Sequence, residues 1–189
     1  MAPVNTLKPR VGYTDLVNAP EDRRRYELYD GEVFVVPSPL PRHQLVSQRV
    51  ALLLEAYAAA HGGTLLVTPI DIVFTEYDVL MPDLVYFVEG RKHLVPLDAP
   101  IRHPPDLVVE ILSPSTAATD RGRKMQTFAR YGVREYWIID PAPGQERLEI
   151  HTLTPSGYEL AQVGNGVFQI QSPLLPELGA PIESLFPRG

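Results

Sequence analysis

The spacing of hydrophobic and polar positions changes period several times along the chain, and each change predicts an element. Residues 25–36, Arg-Tyr-Glu-Leu-Tyr-Asp-Gly-Glu-Val-Phe-Val-Val, read as two strands around Asp30-Gly31. An Asp-Gly pair tolerates the two positive φ angles of a type I′ turn, so a tight hairpin is expected. Pro37, Pro39 and Pro41 make a stiff exit. Over 43–61 the spacing becomes helical. Leu45, Leu52 and Ala56, with Val46, Val50, Leu53 and Tyr57, supply an apolar face, and Gly62-Gly63 closes the helix. Short strands are expected at 64–68, 71–75 and 83–88. A long loop follows over 89–105, where Gly90, Pro96, Pro100, Pro104 and Pro105 break any period.

Residues 106–112, Asp-Leu-Val-Val-Glu-Ile-Leu, are so apolar on both faces that the strand should lie mid-sheet. Ser113-Pro114-Ser115 ends it. A helix capped by Asp120 or a nearby threonine comes next and stops at Gly132, and 135–140 forms a second buried strand ended by Pro141. Strand, helix, strand in this order is a βαβ-like unit with parallel strands and a right-handed crossover. Segments 147–152, 158–163 and 167–171 look like an antiparallel extension. The expected fold class is α/β (α+β mixed sheet): a central mixed β-sheet flanked by helices, with an N-terminal hairpin and an antiparallel C-terminal extension. No repeat or long linker divides it, so one domain over 1–189 is expected, with a core at about 26–141 and a β extension at about 145–189.

Composition narrows the function classes. The 189 residues include no cysteine, which excludes disulfides, thiolate catalysis and Cys-based zinc sites. No stretch approaches the roughly 18–20 apolar residues of a membrane span. Lys8 and Arg10 near the start have no apolar run behind them, so no secretory signal is expected and the expected location is cytoplasmic. The net charge of −6 offers no overall basic footprint for nucleic acid. Its distribution is uneven. Arg121, Arg123, Lys124, Arg130 and Arg134 stand against Asp120 alone, a local +4, whereas from Asp140 onward six acids face two arginines, a local −4. The basic stretch is either a patch or an ordinary solvated helix face.

Glu110 needs an explanation, because an unpaired carboxylate inside Leu-Val-Val-Glu-Ile-Leu carries a large desolvation cost. It requires either a salt bridge, to an arginine or Lys124, or a bound cation. Lys124 is equally odd: Phe128 and Tyr131, four and seven residues on, put it in an aromatic stripe that should face the sheet. It either snorkels outward or meets Glu110. Asp83 follows Pro82 at the start of an apolar strand and either caps a turn or joins the other two. Two carboxylates on neighbouring strands with a lysine nearby suit metal-assisted phosphodiester hydrolysis, in which hard oxygen ligands hold Mg²⁺ or Mn²⁺.

Pro82-Asp83, Glu110 within Asp-Leu-Val-Val-Glu-Ile-Leu-Ser-Pro-Ser, Asp120, Lys124, Tyr131, Gly132-Val133 and Glu135-Tyr-Trp-Ile-Ile-Asp-Pro141 resemble the Uma-type "putative restriction endonuclease" family of the PD-(D/E)XK nuclease superfamily. Tyr26-Glu27-Leu28, Asp30-Gly31-Glu32 and the stretch from Ser38-Pro39 to His43 match it as well. The resemblance implies a mixed sheet with flanking helices and a divalent-metal-dependent endonuclease acting on nucleic acid, double-stranded DNA above all. It implies Asp83, Glu110 and the main-chain carbonyl of Ile111 as metal ligands, and Lys124 as the catalytic lysine beside Asp83 and Glu110. The superfamily pattern places lysine two residues after the glutamate, where this chain has Leu112; Lys124 matches variants in which it has moved to the next helix.

Glu27 and His43 stand in family-like positions as auxiliary candidates for an outer metal or phosphate contact. A homodimer would let such a nuclease cut both strands. The rivals are a catalytically degenerate nuclease fold that binds nucleic acid or protein, and an unrelated enzyme using Ser113 or Ser115, which would need a histidine beside the serine. His61, His93, His103 and His151 show no zinc-ligand spacing, and no phosphate-binding glycine loop is present. For Asp83 and Glu110 to share an ion, their carboxylates must lie within about 8 Å, given ligand distances of roughly 2.0–2.6 Å.

Overall fold

The computed structural model describes residues 9–187. In chain order its elements are α1 (Tyr13–Asn18), β1 (Arg25–Tyr29), β2 (Glu32–Val36), α2 (Pro41–His61), β3 (Thr64–Val67), β4 (Ile72–Val73), β5 (Val79–Leu80), β6 (Leu84–Phe87) and β7 (Leu107–Ile111). A helical stretch α3 over 117–130 follows, then β8 (Glu135–Asp140), β9 (Arg147–Thr154) and β10 (Gly157–Gly164). Six strands form a mixed sheet in the order β10-β9-β8-β7-β6-β3, and four form a smaller antiparallel sheet in the order β2-β1-β5-β4. The fold class is therefore the expected mixed sheet flanked by helices. Among the described residues, no helix is long and apolar enough to cross a membrane.

The strongest local signals form what they predict. Asp30 and Gly31 have φ of 52° and 79°, and Tyr29 pairs with Glu32 across the turn. β7 is buried throughout and pairs in parallel with β8, Val109 opposite Trp137. One face of the large sheet, carrying Leu84, Leu107, Val109, Ile111, Trp137 and Ile139, packs under α2 and the C-terminal segment. The other, carrying Val85, Phe87, Val108, Tyr136 and Ile138, packs against Phe128 of α3 and against Tyr29, Ile72 and Leu80 of the small sheet. Alternation along β7 turns Glu110 toward this second layer, together with Val108 and Leu112.

Four expectations fail for identifiable reasons. α2 starts at Pro41, since proline suits the first helical position. Its buried line is Val46, Val50 and Leu54, at steps of four, so Leu45 and Leu52 lie outside it and are 46% and 66% exposed. Of the two cap candidates Asp120 fails and a threonine holds the place: Thr116 stands at the N-cap, without a side-chain cap bond, and Asp120–Lys124 form a π-helical turn inside the helix, with both end residues buried. Such turns occur mostly as single insertions, frequently at functional sites. The expected strand at 167–171 is instead a loop folded back on 180–182, bonded through Ile170 N–H to Ala180 and Ile182 N–H to Phe168. α1 and β5 carry no strong pattern, and β5 is two residues long.

One buried carboxylate adds polar bonds to the apolar contacts that hold the C-terminal segment on the sheet. Glu135, fully buried at the head of β8, accepts hydrogen bonds from the Trp137 indole (2.6 Å), the Ser172 hydroxyl (2.5 Å) and the Leu174 amide (3.0 Å). Burial raises its pKa and these three donors oppose the rise. Glu135→Ala strands all three donors, and the expected loss is about 3 kcal/mol of stability. Urea unfolding followed by Trp137 fluorescence checks this; an unchanged midpoint would show that the carboxylate does not help to hold the segment.

Candidate active site

The second layer ends in a narrow cavity of about 50 Å³ lined by Arg25, His43, Asp83, Glu110, Asp120 and Lys124, among others. They come from five parts of the chain: β1, the start of α2, the approach to β6, β7, and the π turn of α3, which supplies both Asp120 and Lys124. The last backbone pair of β6 and β7 near the cavity is Leu84 with Val109, and one further step puts Asp83 across from Glu110. Facing residues of an antiparallel pair have Cβ atoms about 4.5–5.5 Å apart. Pro82, buried, fixes the chain just before Asp83. Asp83 Oδ2 accepts from the Ile111 amide at 2.8 Å and from His43 Nε2–H at 3.0 Å, so α2 and β7 both orient this carboxylate. Its Oδ1 makes no hydrogen bond among the described residues.

Lys124 does not snorkel. Its side chain is 6% exposed, and Nζ lies 2.8 Å from Glu110 Oε1, 3.0 Å from Glu27 Oε1 and 3.9 Å from Asp120 Oδ1. The Met81 carbonyl accepts from it at 3.4 Å. Burial alone would lower the ammonium's pKa, but the Glu110 and Glu27 carboxylates raise it well above its ordinary value. Glu110 is raised well above the usual carboxylate range by burial, with Lys124 opposing, and Asp120 is raised for the same reasons. The inward carboxylate and the inward lysine thus answer one another.

Glu27 faces this centre as a support for the lysine. One oxygen accepts from the Tyr29 hydroxyl (2.9 Å), the other from the Met81 amide (2.9 Å) and contacts Lys124. Sequence reasoning left out Arg25, which lines the same cavity. Its signal was present: Arg25, Glu27 and Tyr29 alternate onto one face of β1.

The remaining candidates separate. Ser113 bonds Ser115 (3.0 Å) and Thr116 (2.9 Å), and no histidine bonds either serine among the described residues, so no hydrolase pair exists there. The basic stretch of α3 is neither a free patch nor an ordinary solvated face. Arg121 makes a two-point pair with Glu149, and Arg123, Arg130 and Arg134 face Glu32, Asp78 and Asp106. Among the described residues, Arg23, Arg25 and Arg42 form no ion pair.

The donor chemistry suits a hard divalent ion. Glu110 Oε1 is buried without a hydrogen bond, although Nζ of Lys124 is close, because the pair lies outside hydrogen-bond geometry. Among the described residues, no group of three or more His, Cys, Asp or Glu gathers as a protein cage for a metal. The residues fit an ion held by one or two carboxylates and completed by water and phosphate oxygens, the usual habit of Mg²⁺.

Comparison with known proteins follows the same line. The fold resembles the crystal structure of a "putative nuclease belonging to DUF820" from Anabaena variabilis ATCC 29413, with a TM-score of 0.75, 18% identity, and 93% of this chain and 97% of that chain covered. At that identity the likeness speaks for the fold. No curated protein matches the chain. The model of the Uma2 family, described as "Putative restriction endonuclease", matches residues 13–183, and the chain belongs to that family.

Proposed function

We propose that this protein is a divalent-metal-dependent endonuclease that hydrolyses phosphodiester bonds in nucleic acid, with double-stranded DNA as its substrate. The observation that carries the reading is the half-buried carboxylate of Asp83, just before β6, set one register step beyond the Leu84–Val109 pair and so beside the buried Glu110 of β7, with an inward lysine at 2.8 Å from Glu110. Asp83, Glu110 and the Ile111 carbonyl would hold Mg²⁺ or Mn²⁺, which supplies Lewis acidity toward the phosphate and the attacking water.

The chain's own residues do the rest. Lys124 directs a positive charge at the reacting phosphate or the incoming water, where preorganised charge acts most strongly in a dry site. Glu27 is a positioning residue that keeps the ammonium aimed when Glu110 turns to an ion. His43 fixes the Asp83 carboxylate through Nε2–H, and its Nδ1 is buried without a partner among the described residues. Arg25 offers charge to a neighbouring phosphate. Cutting both strands asks for two such centres, which a cytoplasmic homodimer would supply. The neutralisation of Glu110 by Lys124 favours a second reading: a degenerate nuclease fold that binds nucleic acid without cleaving it.

A plasmid-nicking assay with Mg²⁺ or Mn²⁺ beside EDTA separates the two. Wild type is expected to nick only with metal, and Asp83→Ala and Glu110→Ala to abolish nicking; DNA binding with no nicking in any metal would establish the degenerate reading.

Lys124→Ala should slow cleavage by about 10²–10³, or roughly 3–4 kcal/mol of barrier, while Mn²⁺ binding persists. Lys124→Arg should not restore the rate, because a planar guanidinium differs in reach and cannot surrender a proton. Unchanged cleavage by Lys124→Ala would remove the lysine from the mechanism.

The same variant has a stability signature without metal. Leaving buried carboxylates unpaired costs about 3–5 kcal/mol at neutral pH. The deficit should shrink as pH falls. Burial already holds the folded pKa of Glu110 above its unfolded value, and losing Lys124 lifts it further. The folded variant therefore binds more protons than the unfolded one in that window and gains stability with acidity. Denaturant melts from pH 7.5 down to 5 measure this; a deficit independent of pH would refute the buried clamp.

A further inference from the structure

A second cavity, of about 480 Å³, opens beside the first, and His43 and Ser113 line both. Its size is typical of small-molecule sites, which run roughly 300–1,000 Å³. It arises from the topology. β7 and β8 are parallel neighbours, with Ile111 opposite Ile139. The chain leaving β7 turns into α3, while the chain leaving β8 returns through a proline-rich turn to β9. The space between these diverging exits, at the carboxyl ends of parallel strands, is where open α/β sheets place ligands. The start of α2, with Leu40 and His43, closes the third side.

The walls are Leu40, Leu112, Pro114, Pro141, Ala142 and Pro143, rigid and apolar. Two charged groups join them. Asp140 accepts from the Ala142 amide through Oδ1 (3.1 Å), while Oδ2 makes no hydrogen bond among the described residues. Arg42 forms no ion pair among the described residues. A flat ring with apolar faces, an amino group at one edge and an attached anion meets all three features at once. An apolar peptide segment would cover the walls but leave Asp140 Oδ2 without a donor.

We propose that this cavity is a nucleobase subsite: it takes the base next to the cleaved phosphate, turned out of the helix, with an exocyclic amine toward Asp140 and the backbone phosphate toward Arg42. The inference rests on the nuclease reading above and specifies its substrate. Turning a base out costs unstacking and unpairing, least at a mismatch, and apolar side chains take over the stacking. Duplexes with a mispaired amino-bearing base are therefore the better substrates.

The test uses the full chain and a short DNA duplex with one mispaired 2-aminopurine, whose emission rises when it leaves the stack. In Ca²⁺, used to hold the complex without turnover, the protein should raise that emission. In Mg²⁺ or Mn²⁺, cleavage beside a mispaired adenine or cytosine should exceed that of the fully paired duplex by about tenfold in kcat/KM. Ala142→Phe, which fills the cavity, should remove both effects, and Asp140→Asn should erase the preference for adenine or cytosine over a mispaired thymine. If Ala142→Phe does not fold, the wild-type emission and the Asp140→Asn preference still decide. Nicking of plasmid by wild type with no emission change and no mismatch preference would overturn the subsite and leave the nuclease reading intact. Absence of both binding and cleavage of any DNA would overturn the nuclease reading, and the subsite with it.

Discussion

An ammonium group moved out of water loses solvation worth several kcal/mol even after the protein around it relaxes, and Lys124 is 6% exposed. Its position is tenable because carboxylates reach it from three separate parts of the fold: Glu27 from the hairpin, Glu110 from the central sheet and Asp120 from its own helix. Those carboxylates are themselves buried and depend on the lysine in return. The small sheet, the large sheet and α3 therefore meet at a charge cluster as well as at an apolar layer. Displacing any one layer would leave an uncompensated charge, so the cluster fixes their mutual placement more sharply than hydrophobic contact alone. A divalent ion at Asp83 and Glu110 would enter a centre whose cation balance is already set, which gives Glu27 its importance as the partner the lysine keeps.

The charge pattern has a second consequence. The cations of α3 are spent on internal pairs, so the helix that looks most basic in the sequence offers little to a polyanion. On the nuclease reading proposed above, phosphate contacts would fall to Arg25 and Arg42, which line the two cavities, on an otherwise acidic protein of net charge −6. Association with nucleic acid would then be weakly steered, with a salt dependence set by few phosphate contacts. On the same reading, selectivity would come from shape and from the apolar recess beside the centre.

The sequence made the central unit legible because its signals are local and strong. Asp30-Gly31 admits one turn type, and 106–112 and 135–140 are too apolar for anything but buried strands. The oddity of Glu110 and Lys124 pointed to each other for the same reason: each breaks an otherwise apolar pattern. What escaped depends on non-local geometry. The choice of Val46, Val50 and Leu54 over Leu45 and Leu52 is made by how α2 lies on the sheet, and helical spacing alone permits both. The π turn at Asp120–Lys124 leaves no mark in composition. The pairing of each basic residue on α3 with an acid distant in sequence, such as Glu32 or Glu149, could not be seen from charge runs. Nor could the second cavity, since it exists only where two chain segments part.

The sheet's two faces are covered by parts of the chain that leave the ribosome at different times. Glu27, Asp83, Glu110 and Lys124 all precede β8, so every side chain of the centre has been made before the segment bonded to Glu135 emerges. Until residues 170–186 arrive, Trp137, Ile139, Leu148 and Ile150 lack part of the apolar cover they share with Ile170, Leu175 and Leu185. A nascent chain in that interval exposes a hydrophobic sheet face, the kind of surface that draws chaperones or aggregates. Docking of residues 170–186 is thus the step that covers this face in a chain already carrying all of the site's side chains.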